Sequence, residues 1–220
     1  MKCNVLTKEM ASQLKTSNGV LNVPSGITRI ASYAFKDRED IVVVNCPSTV
    51  TTIGEHCFEN CKNLEQAYLS PNLLVLENRI FQNCVSLRKV VLHEGLASVG
   101  FGCFVGCNSL QEITLPNSVK SLIDASLFKN CDDLETINCS ESLAYRFVVD
   151  PEAKFSSIPA INYHKQEKDA AGNACKKEYQ LEYSRGRYLL KDLSKKEGEQ
   201  VVCYNSKNIR RAAPQTNFER

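Results

Sequence analysis

A phenylalanine returns at an almost constant interval through much of the chain. Its members are separated by 23, 23, 23 and 24 residues, and they are Phe35, Phe58, Phe81, Phe104 and Phe128. Other apolar columns keep the same period; six residues after the phenylalanine come Ile41, Leu64, Leu87, Leu110 and Leu134. A unit of this length cannot bury its own apolar side, so such units stack and share one core. The spacing therefore predicts a repeat protein.

Each unit combines a stretch that alternates like a β-strand with a stretch that turns. In "LQEITLP" the core positions alternate with outward positions, whereas "GEHCFENC" has room for a short helical turn. We call the outward side of these strands the strand face; it comprises Val43, Asn45, Gln66, Tyr68, Lys89, Val91, Glu112, Thr114, Thr136 and Asn138. We expect a short curved solenoid with a ladder of parallel strands on one face.

The repeat resembles that of the BspA-like leucine-rich repeats. The segments "LQEITLPNSVKSLIDASLFKNCDDL" and "IVVVNCPSTVTTIGEHCFENCKNL" follow that family's pattern nearly column by column. The resemblance covers residues 20–142, as five to six units, and implies an α/β leucine-rich-repeat solenoid with a parallel strand ladder and short helical turns. Members of the family are mostly surface or secreted proteins that bind other proteins. The resemblance therefore implies a recognition module.

The flanks of the repeats predict caps and a β-rich extension. In residues 1–19, Thr7 can cap a helix over Lys8–Thr16 with Met10, Ala11 and Leu14 inward. Residues 143–158 form the C-terminal cap, and the helix in "SESLAYRFVVD" should stop at Pro151. Residues 159–220 are expected to form a small β meander with a mobile end. In it "QEKDAAGNACKKE" is a polar linker or loop, "EYQLEYSRGRYLLKDL" is a hairpin, and "EQVVCYN" is a third strand.

The eleven cysteines are expected to be reduced. Their number is odd, and the start of the chain shows no secretory signal. One column, three residues after the phenylalanine, holds Cys61, Cys84, Cys107 and Cys131, which should form a buried ladder. The preceding Asn60, Asn83 and Asn130 should satisfy backbone groups at the bend. Cys46 and Cys139 occupy a core column.

Cys57 and Cys103 complete two C-x-x-x-C pairs with Cys61 and Cys107, a spacing loosely like that of zinc sites. The two pairs are two rungs apart at roughly 4.8 Å per rung, which is too far for one tetrahedral site. We expect no metal and no other cofactor.

Two other functions stay open as alternatives. A Cys-dependent enzyme would need His164 beside Cys175 or Cys203, although no family signature surrounds these residues. From His164 onward the chain has 13 basic and 8 acidic residues, so the extension could bind nucleic acid or a membrane surface. Alternating charges such as "KDLSKKEGE" are more typical of a solvated surface.

The favoured hypothesis is a non-catalytic module that binds a protein partner through the strand face. Tyr68, Val91 and Val43 would form an apolar centre with a polar surround. The candidate partner-binding residues are Val43, Gln66, Tyr68, Lys89, Val91, Glu112 and Thr114. We expect a monomer without a membrane span, acting as a cytoplasmic scaffold or as an effector delivered into a host cell without a cleaved signal.

Overall fold

The computed structural model describes residues 4–122, 125–149, 159–169, 171–184, 187–193 and 201–204. Its helices are α1 (Lys8–Gln13) and α2 (Glu141–Val149), with a 3-10 helix at Ala125–Phe128. The strands are β1 (Val5–Leu6), β2 (Val20–Asn22), β3 (Arg29–Ile30), β4 (Val43–Asn45), β5 (Thr52–Ile53), β6 (Gln66–Tyr68), β7 (Val75–Leu76), β8 (Lys89–Val91), β9 (Ser98–Val99), β10 (Glu112–Thr114), β11 (Ser121–Leu122), β12 (Thr136–Ser140), β13 (Ala160–Lys168), β14 (Ala174–Ser184), β15 (Arg187–Asp192) and β16 (Val201–Tyr204). Cys3, Pro151 and residues 205–220 lie outside the described residues.

The repeats form a parallel β-solenoid, as the sequence predicts. One ladder runs through β2, β4, β6 and β8, with every strand paired in register one unit later. A second row of two-residue strands, not foreseen from the sequence, forms the sheets β1-β3-β5 and β7-β9-β11. Two residues are too few to show an alternating pattern.

The first ladder is interrupted between β8 and β10. These strands are neighbours, but β8 ends one sheet and β10 begins another. Val90 is only half-buried here, whereas Ala67 and Ile113 in the same column are buried. The strand face therefore consists of two sheets placed side by side.

The turn side of each unit, which carries the phenylalanine, has turns where the sequence predicts helical turns. Hydrogen bonds such as that from the Cys61 N–H to the Phe58 C=O close four-residue turns. Residues with left-handed backbone conformation form two columns, one two positions before the phenylalanine and one two positions after it. The first column includes Tyr33, His56, Arg79 and Gly102, and the second includes Asp37, Asn60, Asn83, Gly106 and Asn130. A left-handed residue in each turn stops an α-helix from continuing, because a right-handed helix needs negative φ throughout.

Stacked phenylalanines fill the core. Neighbouring rings from Phe35 to Phe128 have centroids 5.3 to 5.8 Å apart and nearly parallel planes. Phe147 of α2 ends the stack, with its centroid 5.9 Å from that of Phe128. The closing helix therefore extends the phenylalanine column by one ring.

The predicted cysteine ladder is confirmed. Each thiol is buried and donates a hydrogen bond to the carbonyl of the phenylalanine one unit earlier: Cys61 to Phe35, Cys84 to Phe58, Cys107 to Phe81 and Cys131 to Phe104, at 3.0 to 3.2 Å. Burial raises the pKa of the Cys61 and Cys131 thiols to about 12. Cys139 is buried, and Cys46 is half-buried against the core.

The bend asparagines act differently from the prediction. Asn60 donates a side-chain hydrogen bond to Asp37, and Asn83 donates one to Asn60. Their φ values are 60° and 59°, a conformation that asparagine tolerates better than most residues. They form a side-chain ladder at left-handed positions, where the prediction was contacts to backbone groups.

The N-terminal cap departs from the prediction at two points. Thr7 caps α1 by accepting a hydrogen bond from the Met10 N–H, but the helix ends at Gln13 and the Met10 side chain is 49% exposed. Ala11 is buried. Arg38 replaces cysteine in the first unit and donates to the carbonyls of Ala11 and Leu14, both at 3.0 Å. The guanidinium thus binds the backbone at the C-terminal end of α1.

The C-terminal extension continues the solenoid. β13 pairs in parallel with β12 over five residues, and β14, β15 and β16 follow as antiparallel strands of the same sheet. The predicted hairpin and third strand are present. The segment predicted as a polar linker or loop contains the turn between Asp169 and Asn173, but its two ends are the end of β13 and the start of β14.

Candidate interaction surface

All seven candidate residues lie at outward positions of the strand face. Val43, Gln66 and Lys89 face one another across β4, β6 and β8, and Tyr68 faces Val91. Lys89 is exposed and Val91 is half-buried. Glu112 and Thr114 are exposed on β10, beyond the interruption.

Only two of the three residues of the expected apolar centre are directly paired. Val43 is paired with Gln66, whereas Tyr68 is paired with Asn45 and Val91. Val43 therefore lies diagonally from Tyr68, and the immediate apolar pair consists of Tyr68 and Val91.

Tyr68 is held in place by its neighbours. Its hydroxyl donates a hydrogen bond of 2.8 Å to Oε1 of Gln66, and Nζ of Lys89 lies 5.4 Å from its ring centroid. An ammonium at this distance is attracted to the face of an aromatic ring. Tyr68 thus offers a half-buried ring whose orientation is fixed before any partner binds.

Side-chain amides cross the C-terminal half of the face. Asn138 donates to Glu112, Asn162 donates to Asn138, and Gln180 donates to Asn162, at 2.6, 3.0 and 2.9 Å. Sequence reasoning missed Asn162 and Gln180, although the alternation of Ile161 and Tyr163 with polar residues signals a strand.

A groove of about 430 Å³ opens beside this amide row, where the solenoid meets the extension. Its lining includes Thr114, Asn117, Asn138, Asn162, His164 and Glu178. The groove extends the strand face with hydrogen-bonding groups, one imidazole and the charged side chains of Lys176 and Glu178.

The parts of a Cys-dependent active site are not assembled around His164 and Cys175. His164 is paired with Glu178, and Cys175 is paired with Glu167 three residues further along β13. Because side chains alternate along a strand, His164 and Cys175 point to opposite faces of the sheet. Cys203 is paired with Leu189 through the backbone, and its side chain lies outside the described residues.

The other two cysteines of the C-x-x-x-C pairs are buried, and so is most of the His56 side chain. Cys103 donates to the Glu77 carbonyl at 2.8 Å, and Cys57 is fully buried. Within the described ranges no three His, Cys, Asp or Glu side chains converge as metal ligands would. The side chain of His56 is only 15% exposed; its ring stacks on Tyr33, and its Nδ1 lies 2.8 Å from a carboxylate oxygen of Glu59.

Three lysines of the extension are paired with carboxylates. Lys165 contacts Glu141 at 3.2 Å, Lys177 contacts Glu167 at 3.0 Å, and Lys191 contacts Glu182 at 2.6 Å. These pairs reduce the positive potential that a nucleic acid or an anionic membrane would recognise. Neither helix of the described segments has the length and apolarity needed to cross a bilayer.

Comparison with known proteins identifies the repeats. The family model for the BspA type leucine rich repeat region matches residues 15–135 with six copies. The crystal structure of a T. pallidum leucine-rich repeat protein is similar, with 29% identity, a TM-score of 0.55, and coverage of 61% of this chain and 62% of that one. A leucine-rich cell surface protein from Faecalibacterium prausnitzii is 30% identical, with a TM-score of 0.54 over 57% of this chain and 33% of its own.

The pneumococcal vaccine antigen PcpA shares the fold at 22% identity, with a TM-score of 0.52 over 56% of this chain and 30% of its own. A comparison with curated proteins finds no significant match. The similarity to the first two structures covers less than two thirds of either protein. More than half of this chain matches the family model, with the strand register described above. The chain therefore belongs to the BspA-type leucine-rich repeat family.

Proposed function

We propose that the chain is a protein-interaction module that binds a protein partner through the strand face, centred on Tyr68 and Val91. The observation that carries this proposal is the fixed Tyr68 ring, held between the Gln66 amide and the Lys89 ammonium. Aromatic residues dominate binding energy at protein interfaces. A ring that is already oriented loses little conformational freedom on binding.

The size of the face determines how far the partner must reach. The seven strands on this side are β2, β4, β6, β8, β10, β12 and β13. At a spacing of roughly 4.8 Å they form a surface about 30 Å long, and a strand length of three residues makes it about 10 Å wide. A stable interface buries about 800 Å² on each partner. The partner footprint therefore extends past the strands, and the groove beside Asn162 and His164 is the adjoining concave surface.

The proposal is compatible with three settings. The F. prausnitzii relative is a cell surface protein by name, which supports a surface setting alongside the cytoplasmic scaffold and the delivered effector. The strand face would serve in the same way in each, because recognition depends on its side chains. The ion-paired lysines of the extension support a structural role for that segment.

A partner captured with the intact chain tests the proposal. Tyr68→Ala should weaken its binding by about 2 kcal/mol, roughly thirtyfold in Kd. Lys89→Glu should weaken binding less, and its effect should shrink at high salt. His164→Ala tests whether the groove beside Asn162 contributes to binding.

The matched controls are Tyr33→Ala and Lys62→Glu, which alter exposed residues on the turn side. Equal binding by the Tyr68→Ala/Lys89→Glu double variant and the parent would refute the assignment.

A further inference from the structure

A second groove, of about 370 Å³, lies on the turn side of the solenoid, outside the strand face. Arg79 and Gln82 line one wall, Ser126 and Lys129 line the other, and Phe101 and Val105 add apolar surface. No carboxylate from the described part of the chain lines it. A groove with two cations and no carboxylate among its described lining residues attracts anions.

The groove exists because a glycine replaces a bulky residue in a repeated position. The left-handed column before each phenylalanine contains Tyr33, His56, Arg79 and Gly102, with φ between 56° and 62°. In the first two units the side chains fill the surface, since the rings of Tyr33 and His56 stack 4.8 Å apart. A Cβ at Gly102 would lie 3.4 Å from Cγ of Arg79 and 3.5 Å from Cγ2 of Val105. Space for a side chain is thus available, and Gly102 leaves it open.

The two cations of the groove are available to a ligand. Arg79 lies over the Phe101 ring, with its guanidinium carbon 5.1 Å from the ring centroid. No described carboxylate forms an ion pair with Arg79 or Lys129. Lys36, which occupies the column of Lys129 in the first unit, is neutralised by Glu59 at 2.9 Å. The repeat therefore neutralises this position at one end of the solenoid and leaves it charged at the other.

We propose that this groove binds an oxyanion, the phosphate or sulfate group of a small ligand with an apolar body. A guanidinium binds such a group through two parallel hydrogen bonds, and stacking on Phe101 limits the orientations of Arg79. Lys129 supplies the second charge, and the Gln82 amide can donate a further hydrogen bond. Phe101, 37% exposed, and Val105 offer contact to the apolar body. This site is independent of the partner-binding face.

Calorimetric titration of the full chain at low salt, with inorganic phosphate, sulfate and phenyl phosphate in separate experiments, tests the site. We expect saturable binding of one ion per chain, tightest for phenyl phosphate and weaker as salt rises. Tighter binding of inorganic phosphate than of phenyl phosphate would overturn the apolar part of the proposal. No saturable binding of any of the three would overturn it entirely.

Three variants locate the site. Arg79→Asn and Lys129→Ala should each lower the affinity about tenfold or more, as expected for loss of a charge-assisted hydrogen bond. Gly102→Asn keeps both cations but fills the groove, and asparagine tolerates the left-handed backbone; it should abolish binding. Lys62→Ala and Arg88→Ala remove exposed cations elsewhere and should leave the affinity unchanged. Unchanged affinity in the Arg79→Asn/Lys129→Ala double variant, with an unchanged unfolding midpoint, would refute the proposal.

Discussion

The thiol of Cys84 donates a hydrogen bond to the backbone carbonyl of Phe58, with 3.0 Å between Sγ and O. The donor belongs to one repeat and the acceptor to the repeat before it. Because this bond recurs in four units, the cysteine column ties neighbouring turns together as well as filling space. This bond, repeated from unit to unit, explains why cysteine, whose thiol is a weak hydrogen-bond donor, occupies a fully buried corner.

Cys84→Ser should lower the free energy of unfolding by about 1 to 3 kcal/mol. A hydroxyl is smaller than a thiol and forms shorter bonds, so the substitution leaves a void and a buried polar group with poorer geometry. Urea unfolding followed by circular dichroism measures the change. Cys175→Ser, at a half-exposed position in β14, is the control and should change little. Equal, negligible shifts in the two variants would contradict the structural role of Cys84.

Stability should fall as the pH rises above about 8.5, where cysteines of the unfolded chain ionise. In the folded protein, burial raises the pKa of Cys61, Cys103 and Cys131 to about 12, so these thiols stay protonated. Their contribution is complete below the unfolded pKa and is lost as the pH rises toward the folded value. Urea midpoints measured between pH 7.5 and about 9.5, before lysine and tyrosine titrate, provide the measurement. A midpoint that does not move, or that rises with pH, would contradict the buried ladder.

The sequence predicts the solenoid well because its columns are redundant. The columns of Phe58, Leu64 and Ala67 hold apolar residues in several units, so one irregular residue does not hide the period. The register follows from the same columns, and the observed pairing of Ala67 with Val44 and Val90 confirms it. The outward positions of the strand face follow because side chains alternate.

Features that lack repetition could not be predicted. β13 has no phenylalanine column, so its place beside β12 depends on pairing that no period reveals. The interruption between β8 and β10 occurs although Val90 looks like other residues of its column. The groove at Gly102 depends on the three-dimensional position of Arg79 and Lys129, which are 50 residues apart in the chain.

Arg38→Ala should loosen the N-terminal cap. The guanidinium binds the Ala11 and Leu14 carbonyls and is paired with Asp40, whose pKa it lowers. Loss of these bonds should speed hydrogen exchange at the α1 amides and lower the free energy of unfolding by about 1 to 3 kcal/mol. Because the folded pKa of Asp40 is depressed, the contribution of this pair is present above the unfolded pKa and is lost as the pH falls through the folded value.

The control for Arg38 is Arg88→Ala, which removes an exposed arginine from a later repeat. It should leave exchange at α1 unchanged. Equal exchange at α1 in the two variants would show that Arg38 does not hold the cap.

Ile161→Ala should destabilise the solenoid, most strongly at its C-terminal repeats. Ile161 is 1% exposed in β13, where it is paired with Ile137 of the last repeat and Leu181 of β14. Truncating a buried isoleucine costs about 2 to 5 kcal/mol. If β13 is an integral rung, exposure of the Cys131 thiol during urea unfolding should shift to lower urea. The shift should be smaller at Cys61, because repeats are coupled mainly to their neighbours. Gln166→Ala, exposed on the same strand, is the control. If Cys131 becomes exposed at the same urea concentration in Ile161→Ala and in the parent, the extension folds separately from the repeats and the continuous sheet does not stabilise them.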